Sequence, residues 1–193
     1  AFALDKRQAR VERDERQIQS LIRLIEDMLD VSRIRTGKLS IRTSRFDLVK
    51  LVNDLLHNFA AQVEAAEASV SFTGDRSVEG DWDEFRIEQV VSNLLTNALR
   101  YGGKSLVEVR VYARDGQAFI EVQDRGIGIS EENQQRIFQQ FERVSAKTVV
   151  AGFGLGFFIS DHIVAAHGGS ISVESAINQG ALFRVCLPLQ ETA

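Results

Sequence analysis

Between Leu106 and Gln123 the chain reads LVEVRVYARDGQAFIEVQ. Apolar and polar residues alternate on both sides of Asp115–Gly116. A period of two with β-branched residues is the pattern of a strand that buries one face. Asp-Gly suits a two-residue hairpin turn, whose central residues need positive φ. This hairpin restricts the fold more than any other stretch. It sets an antiparallel pair in mid-chain, which a doubly wound parallel sheet with strictly alternating strands and helices does not have. GSISVES and ALFRVCLPL supply a second strand pair at the end, and SVSFTG reads as a further strand. With helices interspersed, the order implies an α/β two-layer sandwich: a mixed β-sheet and about three helices, preceded by a long N-terminal helix.

That first helix is expected over residues 6–35. Ile18, Leu21, Ile22, Ile25, Met28, Leu29 and Val31 recur at spacings of three and four, no proline interrupts them, and Gly37 follows as a stop. The narrow stripe suits a coiled-coil or bundle seam; packing on the chain's own domain is the alternative. GKLSIRTSRFDL reads as a short strand or extended linker, so the expected boundaries are a helix to residue 35, a linker over 36–45 and a domain over 46–190. Asp47 caps a helix over 48–66 with Leu48, Leu51, Val52, Leu55, Leu56 and Phe59 inward. Asp83 caps another over 83–101, stopped by Gly102–Gly103. Shorter helices are expected near 130–140 and 154–167.

A chain of 193 residues holds one ordinary domain and an appendage. A net charge of −4 argues against a general nucleic-acid binder, which needs a basic face. Cys186 is the single cysteine, so no internal disulfide forms, as suits a reducing compartment. No apolar run approaches the roughly 20 residues that span a bilayer. A cytoplasmic polypeptide is expected, with any membrane anchor of a parent protein outside it.

Three segments carry candidate chemistry. Asn93 and Asn97 share a helix face, with Arg100 and Tyr101 one turn further on. Amide oxygens are acceptable ligands for Mg2+, although solvated polar residues would look the same. DRGIGIS (124–130) ends a strand of the hairpin. Its glycines, Gly126 and Gly128, would let a flat ring approach the backbone, and Asp124 could accept a hydrogen bond from an exocyclic amine. GFGLGF (152–157) opens a helix whose amides can receive phosphate oxygens. Neither turn is followed by the lysine of a P-loop, and the second lacks the βαβ setting of a dinucleotide fingerprint.

Taken in order, these segments resemble the ATP-binding domain of sensor histidine kinases, within the superfamily that includes gyrase, Hsp90 and mismatch-repair ATPases. QVVSNLLTNALRY (89–101) resembles the N box, DRGIGI (124–129) the G1 box, IFQQFER (137–143) the F box and GFGLGF the G2 box. The resemblance implies a Bergerat-type ATP-binding fold with ATP and Mg2+ as ligands. It implies Asn93 and Asn97 as catalytic residues serving Mg2+ and phosphate, Arg100 at phosphate and Tyr101 against the nucleotide. It places Asp124, Gly126, Gly128 and Ile129 at the adenine. It implies Gly152, Gly154, Leu155 and Gly156 as ATP-binding residues at the hinge of a lid over 142–151. Lys104 and Lys147 are further candidate phosphate contacts, and Phe138 and Phe141 candidate anchors of the lid's base. Phe157–Phe158 stands where a smaller or aliphatic pair is common.

In the hydrolases and serine kinases of the superfamily, a glutamate acting as general base stands where this chain has Asn93. A neutral amide cannot deprotonate water, so transfer to an intrinsically nucleophilic histidine is favoured over rapid hydrolysis. RLIEDMLDVSRIRTGKLSI resembles the second helix of the dimerisation and phosphotransfer module. That implies a homodimer in the full-length protein, a phosphoacceptor bundle and a downstream response regulator as partners. The phosphoacceptor signature is absent. His57 and His162 read as ordinary helix residues and His167 as a helix-ending cation, so the acceptor is expected outside this chain. A degenerate kinase acting as a nucleotide-sensing or heterodimerising regulator is the alternative.

Overall fold

The computed structural model describes residues 2–139 and 154–189, with side chains at 17 and 18 and from 21 onward. The chain divides into two units, Ala1–Leu39 and Ser40–Ala193.

The first unit is one helix, α1 (Phe2–Arg35). It starts earlier than expected, because the charged opening is rich in Ala, Arg, Gln and Glu, all good helix formers. Its end is a Schellman motif. Gly37 takes φ +65°, its N–H bonds the Ile34 carbonyl at 3.0 Å, and the Lys38 N–H bonds that of Arg33 at 2.8 Å.

The second unit runs β1 (Ser44–Asp47), α2 (Leu48–Asn58), α3 (Ala60–Ala65), β2 (Ser69–Gly74), β3 (Glu79–Trp82), α4 (Glu84–Tyr101), β4 (Leu106–Arg114), β5 (Gln117–Gln123), α5 (Glu131–Arg136), α6 (Gly156–Ala166), β6 (Ser170–Ser175) and β7 (Ala181–Pro188). Five strands form a sheet in the order β2-β4-β5-β7-β6. Only β2 and β4 pair in parallel, so the sheet is mixed, as the central hairpin requires. Alternate residues of the inner strands are buried: Val107, Val109 and Val111 on β4, Ala118, Ile120 and Val122 on β5, and Phe183, Val185 and Leu187 on β7. Buried residues of α2, α4 and α6 complete this core. Each fully buried aliphatic side chain contributes about 1.5–3 kcal/mol.

Two elements differ from the sequence reading. The expected helix over 48–66 divides at Phe59, whose N–H is shared between the Leu55 and Leu56 carbonyls at 3.0 and 3.2 Å. Residues 79–82 pair with 44–47 as a two-stranded sheet. Gly80 hides this strand from propensity, yet it is required there: a Cβ would lie 2.3 Å from the Trp82 indole. Trp82 is buried, edge-on to Phe46, and donates from Nε1 to the Pro188 carbonyl at 3.1 Å.

His167 is not a helix-ending cation. Its Nε2 lies 3.0 Å from the Asp83 N–H, which can only donate, so Nε2 accepts and Nδ1 carries the proton toward the Ile163 carbonyl at 2.8 Å. The ring is the neutral tautomer, joining the end of α6 to the start of α4. His57 and His162 bond carbonyls of their own helices, at Asn53 and Phe158.

Candidate active site

α4 begins where Asp83 accepts the Arg86 N–H at 3.2 Å. Its apolar face, including Leu94, Leu95 and Ala98, is buried. Asn93, Asn97, Arg100 and Tyr101 lie half-buried along the other side, more enclosed than a solvated stripe. Asn97 Nδ2 donates to the Asn93 carbonyl at 3.0 Å and approaches Asn93 Oδ1 at 3.3 Å. Asn93 Nδ2 donates to Ser160 Oγ on α6 at 3.0 Å. Among the described residues Arg100 forms no ion pair. Lys104 does: its Nζ meets Glu67 at 2.6 Å, so its charge is already engaged.

The first glycine turn docks on the end of α4. The Ile127 N–H bonds the Tyr101 carbonyl at 3.3 Å. A Cβ on Gly126 would come within 1.9 Å of that same carbonyl oxygen, and one on Gly128 within 1.9 Å of the Ala176 carbonyl. The place a Cβ would take at either glycine is therefore filled by the chain's own backbone. With glycine at both positions the turn can seat between α4 and the β6–β7 hairpin. Gly128 also takes φ +66°. Asp124 is buried, and its Oδ1 accepts the Gly126 N–H at 2.8 Å. Burial raises its pKa above the ordinary carboxylate value, partly offset by backbone hydrogen bonds involving Gly126 and Ala181. Half-buried Ile129 is fixed by its backbone. Its N–H donates to Ser175 Oγ at 2.8 Å, and its carbonyl accepts from Gln134 Nε2 at 3.2 Å.

Of the second turn, Gly152 lies outside the described residues, as do the expected lid over 142–151, Phe141 and Lys147. Gly154 takes φ +67°, and Gly156 begins α6. Leu155 is buried in the core, so a ligand could meet only its backbone. Leu155, at the N-cap of α6, makes no side-chain cap, so among the described residues the amides of the first turn are left for another acceptor. A Cβ on Gly156 would lie 2.2 Å from Asn93 Oδ1, so α6 can abut the amide only with glycine there. The two phenylalanines that follow have structural partners: Phe157 stacks on Phe183 at 4.7 Å and meets Phe138 edge-on at 6.0 Å, and Phe158 packs on His162 at 4.3 Å.

α4 thus holds both turns, one against its C-terminal end and one against its middle. The sequence pattern marks both turns and the asparagines but gives no sign of Ser160, Ser175 or Gly102, whose Cβ would lie 3.1 Å from that of Asp124. Serines and lone glycines carry no periodic signal; only the juxtaposition of distant segments exposes them.

Comparison with known proteins identifies the fold and the family. The chain is 32% identical over 180 residues to the circadian input-output histidine kinase CikA of Synechococcus elongatus, covering 89% of this chain and 24% of that protein. It is 37% identical over 183 residues to the sensor histidine kinase RppB of a Synechocystis species, covering 91% of this chain and 39% of that one. The chain therefore spans less than half the length of these relatives. The nucleotide-free catalytic domain of histidine kinase ThkA superposes with TM-score 0.69 at 26% identity, over 77% of this chain and 96% of that structure. The Acinetobacter baumannii histidine kinase AdeS shares the fold with TM-score 0.76 at 23% identity, over 91% and 81% of the two chains. Residues 82–191 match the model of the histidine kinase-, DNA gyrase B- and HSP90-like ATPases. By its mixed sheet, its asparagine-bearing helix and the two turns that helix holds, the chain belongs to that family and is a histidine-kinase-type ATP-binding domain.

Proposed function

We propose that this chain binds ATP with Mg2+ and presents the γ-phosphoryl group to a histidine on a phosphoacceptor bundle outside it. The observation that carries this reading is the convergence on α4 of three unlike groups: the Asn97 amide oxygen, the buried Asp124 carboxylate and the uncapped start of α6. The carboxylate oxygen of Asp124 not held by Gly126 accepts the adenine amine. Tyr101 flanks the nucleotide, while Gly154, Leu155 and Gly156 offer backbone amides to the phosphates. Arg100 adds positive charge at the phosphate end. Asn97 Oδ1 is the neutral oxygen donor suited to a hard, partly hydrated cation, and Asn93 holds that amide from beside it; the cation would supply charge neutralisation at the phosphates.

With Asn93 where a general base would stand, the site stabilises phosphoryl transfer by position and charge and leaves water unactivated. The acceptor is then a nucleophile brought in from a histidine-bearing bundle, to which α1 belongs as a second helix pairing with a second copy. A response regulator receives the phosphoryl group next. Two measurements test this. Calorimetric titration should show ATP binding that strengthens with Mg2+ and weakens about tenfold or more in Asn97→Ala. A phosphoacceptor hairpin from the parent protein, supplied in trans, should acquire acid-labile label from ATP. Saturating ATP with no heat or chemical-shift change would overturn the reading.

A further inference from the structure

We infer that Ser160 is a positioning residue that holds the Asn93 amide in place against Asn97 and so steadies the Asn97 oxygen left for a cation. This rests on the proposed role of Asn97 at Mg2+. The Asn93 backbone carbonyl can only accept, so the group of Asn97 that lies 3.0 Å from it is the NH2. That NH2 also lies 3.3 Å from the Asn93 side chain, so the atom facing it is Oδ1; an NH2 there would set donor against donor. Asn93 Nδ2 is thereby turned toward α6, where Ser160 Oγ receives it at 3.0 Å. Ser160 is only 2% exposed, which leaves little room for water to replace the hydroxyl. Gly156, one helical turn earlier on the same side of α6, lies against Oδ1 of the same amide. The amide is held at both ends by α6.

The consequence falls on Asn97. With its NH2 committed to Asn93, its Oδ1 makes no hydrogen bond among the described residues and is the hard oxygen presented to a ligand. Ser160 touches neither nucleotide nor cation; it acts through two amides. In Ser160→Ala, Asn93 Nδ2 loses its acceptor in a nearly dry site and the Asn93 side chain is released, which leaves the Asn97 NH2 held by the Asn93 backbone carbonyl alone.

The test is calorimetry of the full chain with ATP, in the presence and absence of Mg2+. Ser160→Ala should reduce the Mg2+-dependent gain in affinity by about tenfold, leave metal-free ATP binding unchanged, and be rescued by Ser160→Thr, which restores the hydroxyl. Ser160→Cys, close in size but a weak acceptor, should behave like the alanine variant; thermal unfolding identifies the variants that remain folded. A folded Ser160→Ala or Ser160→Cys chain with the full Mg2+ gain, while Asn97→Ala abolishes it, overturns the role of Ser160 alone. No Mg2+ gain in the unsubstituted chain overturns the cation reading beneath it.

Discussion

α1 and α4 carry the same kind of apolar periodicity and meet opposite fates. On α4, Ile87, Val90 and Leu94 are at most 1% exposed beneath the sheet's core face. On α1, Ile18, Leu21, Ile25, Met28 and Leu29 are each more than 50% exposed. Spacing of three and four makes a stripe on any helix, but a stripe states only that a cover is wanted. For α4 the cover is folded from its own domain. For α1 a second copy supplies it in the proposed assembly.

The difference can be broken at its strongest point first. Leu94→Ala removes a fully enclosed side chain and should cost about 2–5 kcal/mol, whereas Leu21→Ala on monomeric chain should cost less than about 0.5 kcal/mol. Urea unfolding of both variants decides this; equal costs would mean that α1 is covered from within the chain.

The next effect concerns the turn seated on α4. Asp124→Asn should weaken ATP binding by about 10–100-fold, because the amide that keeps its oxygen toward Gly126 turns an NH2 toward the adenine amine. The same logic fixes the pH dependence. Burial raises the Asp124 pKa, with the Gly126 and Ala181 hydrogen bonds opposing. The carboxylate therefore protonates at a higher pH than an ordinary aspartate as pH falls. ATP affinity should decline there in the parent chain and stay flat in Asp124→Asn. For stability the sign is reversed: an acid with a raised folded pKa favours the folded state below that pKa and penalises it as pH rises through the window.

Glu121 sharpens the comparison from the sheet's other face, where a buried residue is charged. Its Oε1 accepts from Arg184 Nε at 2.7 Å and Tyr112 OH at 3.0 Å, and Arg110 Nη2 stands 2.6 Å from Oε2. Burial raises the Glu121 pKa, but hydrogen bonds from Arg184 and Tyr112 and the charge of Arg110 outweigh it, so the net direction is down. Its stabilisation is then present above the unfolded carboxylate value and is lost as pH falls through the depressed folded one. Glu121→Gln should cost about 1–3 kcal/mol at neutral pH, short of a fully buried pair because both arginines reach solvent. The cost should vanish in acid, as denaturant midpoints across pH would show.

The smallest effect returns to α1. Leu21→Glu with Ile25→Glu should weaken self-association of the chain by about tenfold or more in sedimentation equilibrium, without moving the unfolding midpoint of the β-sheet domain. A monomeric parent chain at high concentration would instead show that α1 alone is too little of a seam.

The legible parts of the molecule were those with a local cause. Asp115–Gly116 between alternating strands announced the β4–β5 hairpin, and Asp47 and Asp83 announced their helices, because caps and turns are written within a few residues. The break at Phe59 and the strand at 79–82 were not legible. One depends on a buried ring at a shared hydrogen bond, the other on an indole folding back over Gly80. The site followed the same division. Asn93 and Asn97 share a face by spacing alone, and Asp124 ends a strand next to a turn. That Gly126 and Gly128 lie hard against other backbone, that His167 is neutral, and that Ser160 reaches Asn93 are contacts between segments dozens of residues apart.

The sequence by itself determined which segments are helix, strand and turn, and which of them bear oxygen donors, since periodicity, capping and turn chemistry act over one or two turns of chain. Only the tertiary structure decided which stripe is covered, which carboxylate is desolvated and which amide oxygen is left unpaired. Burial and hydrogen-bond partnership belong to pairs of distant surfaces, and no single stretch of sequence contains both.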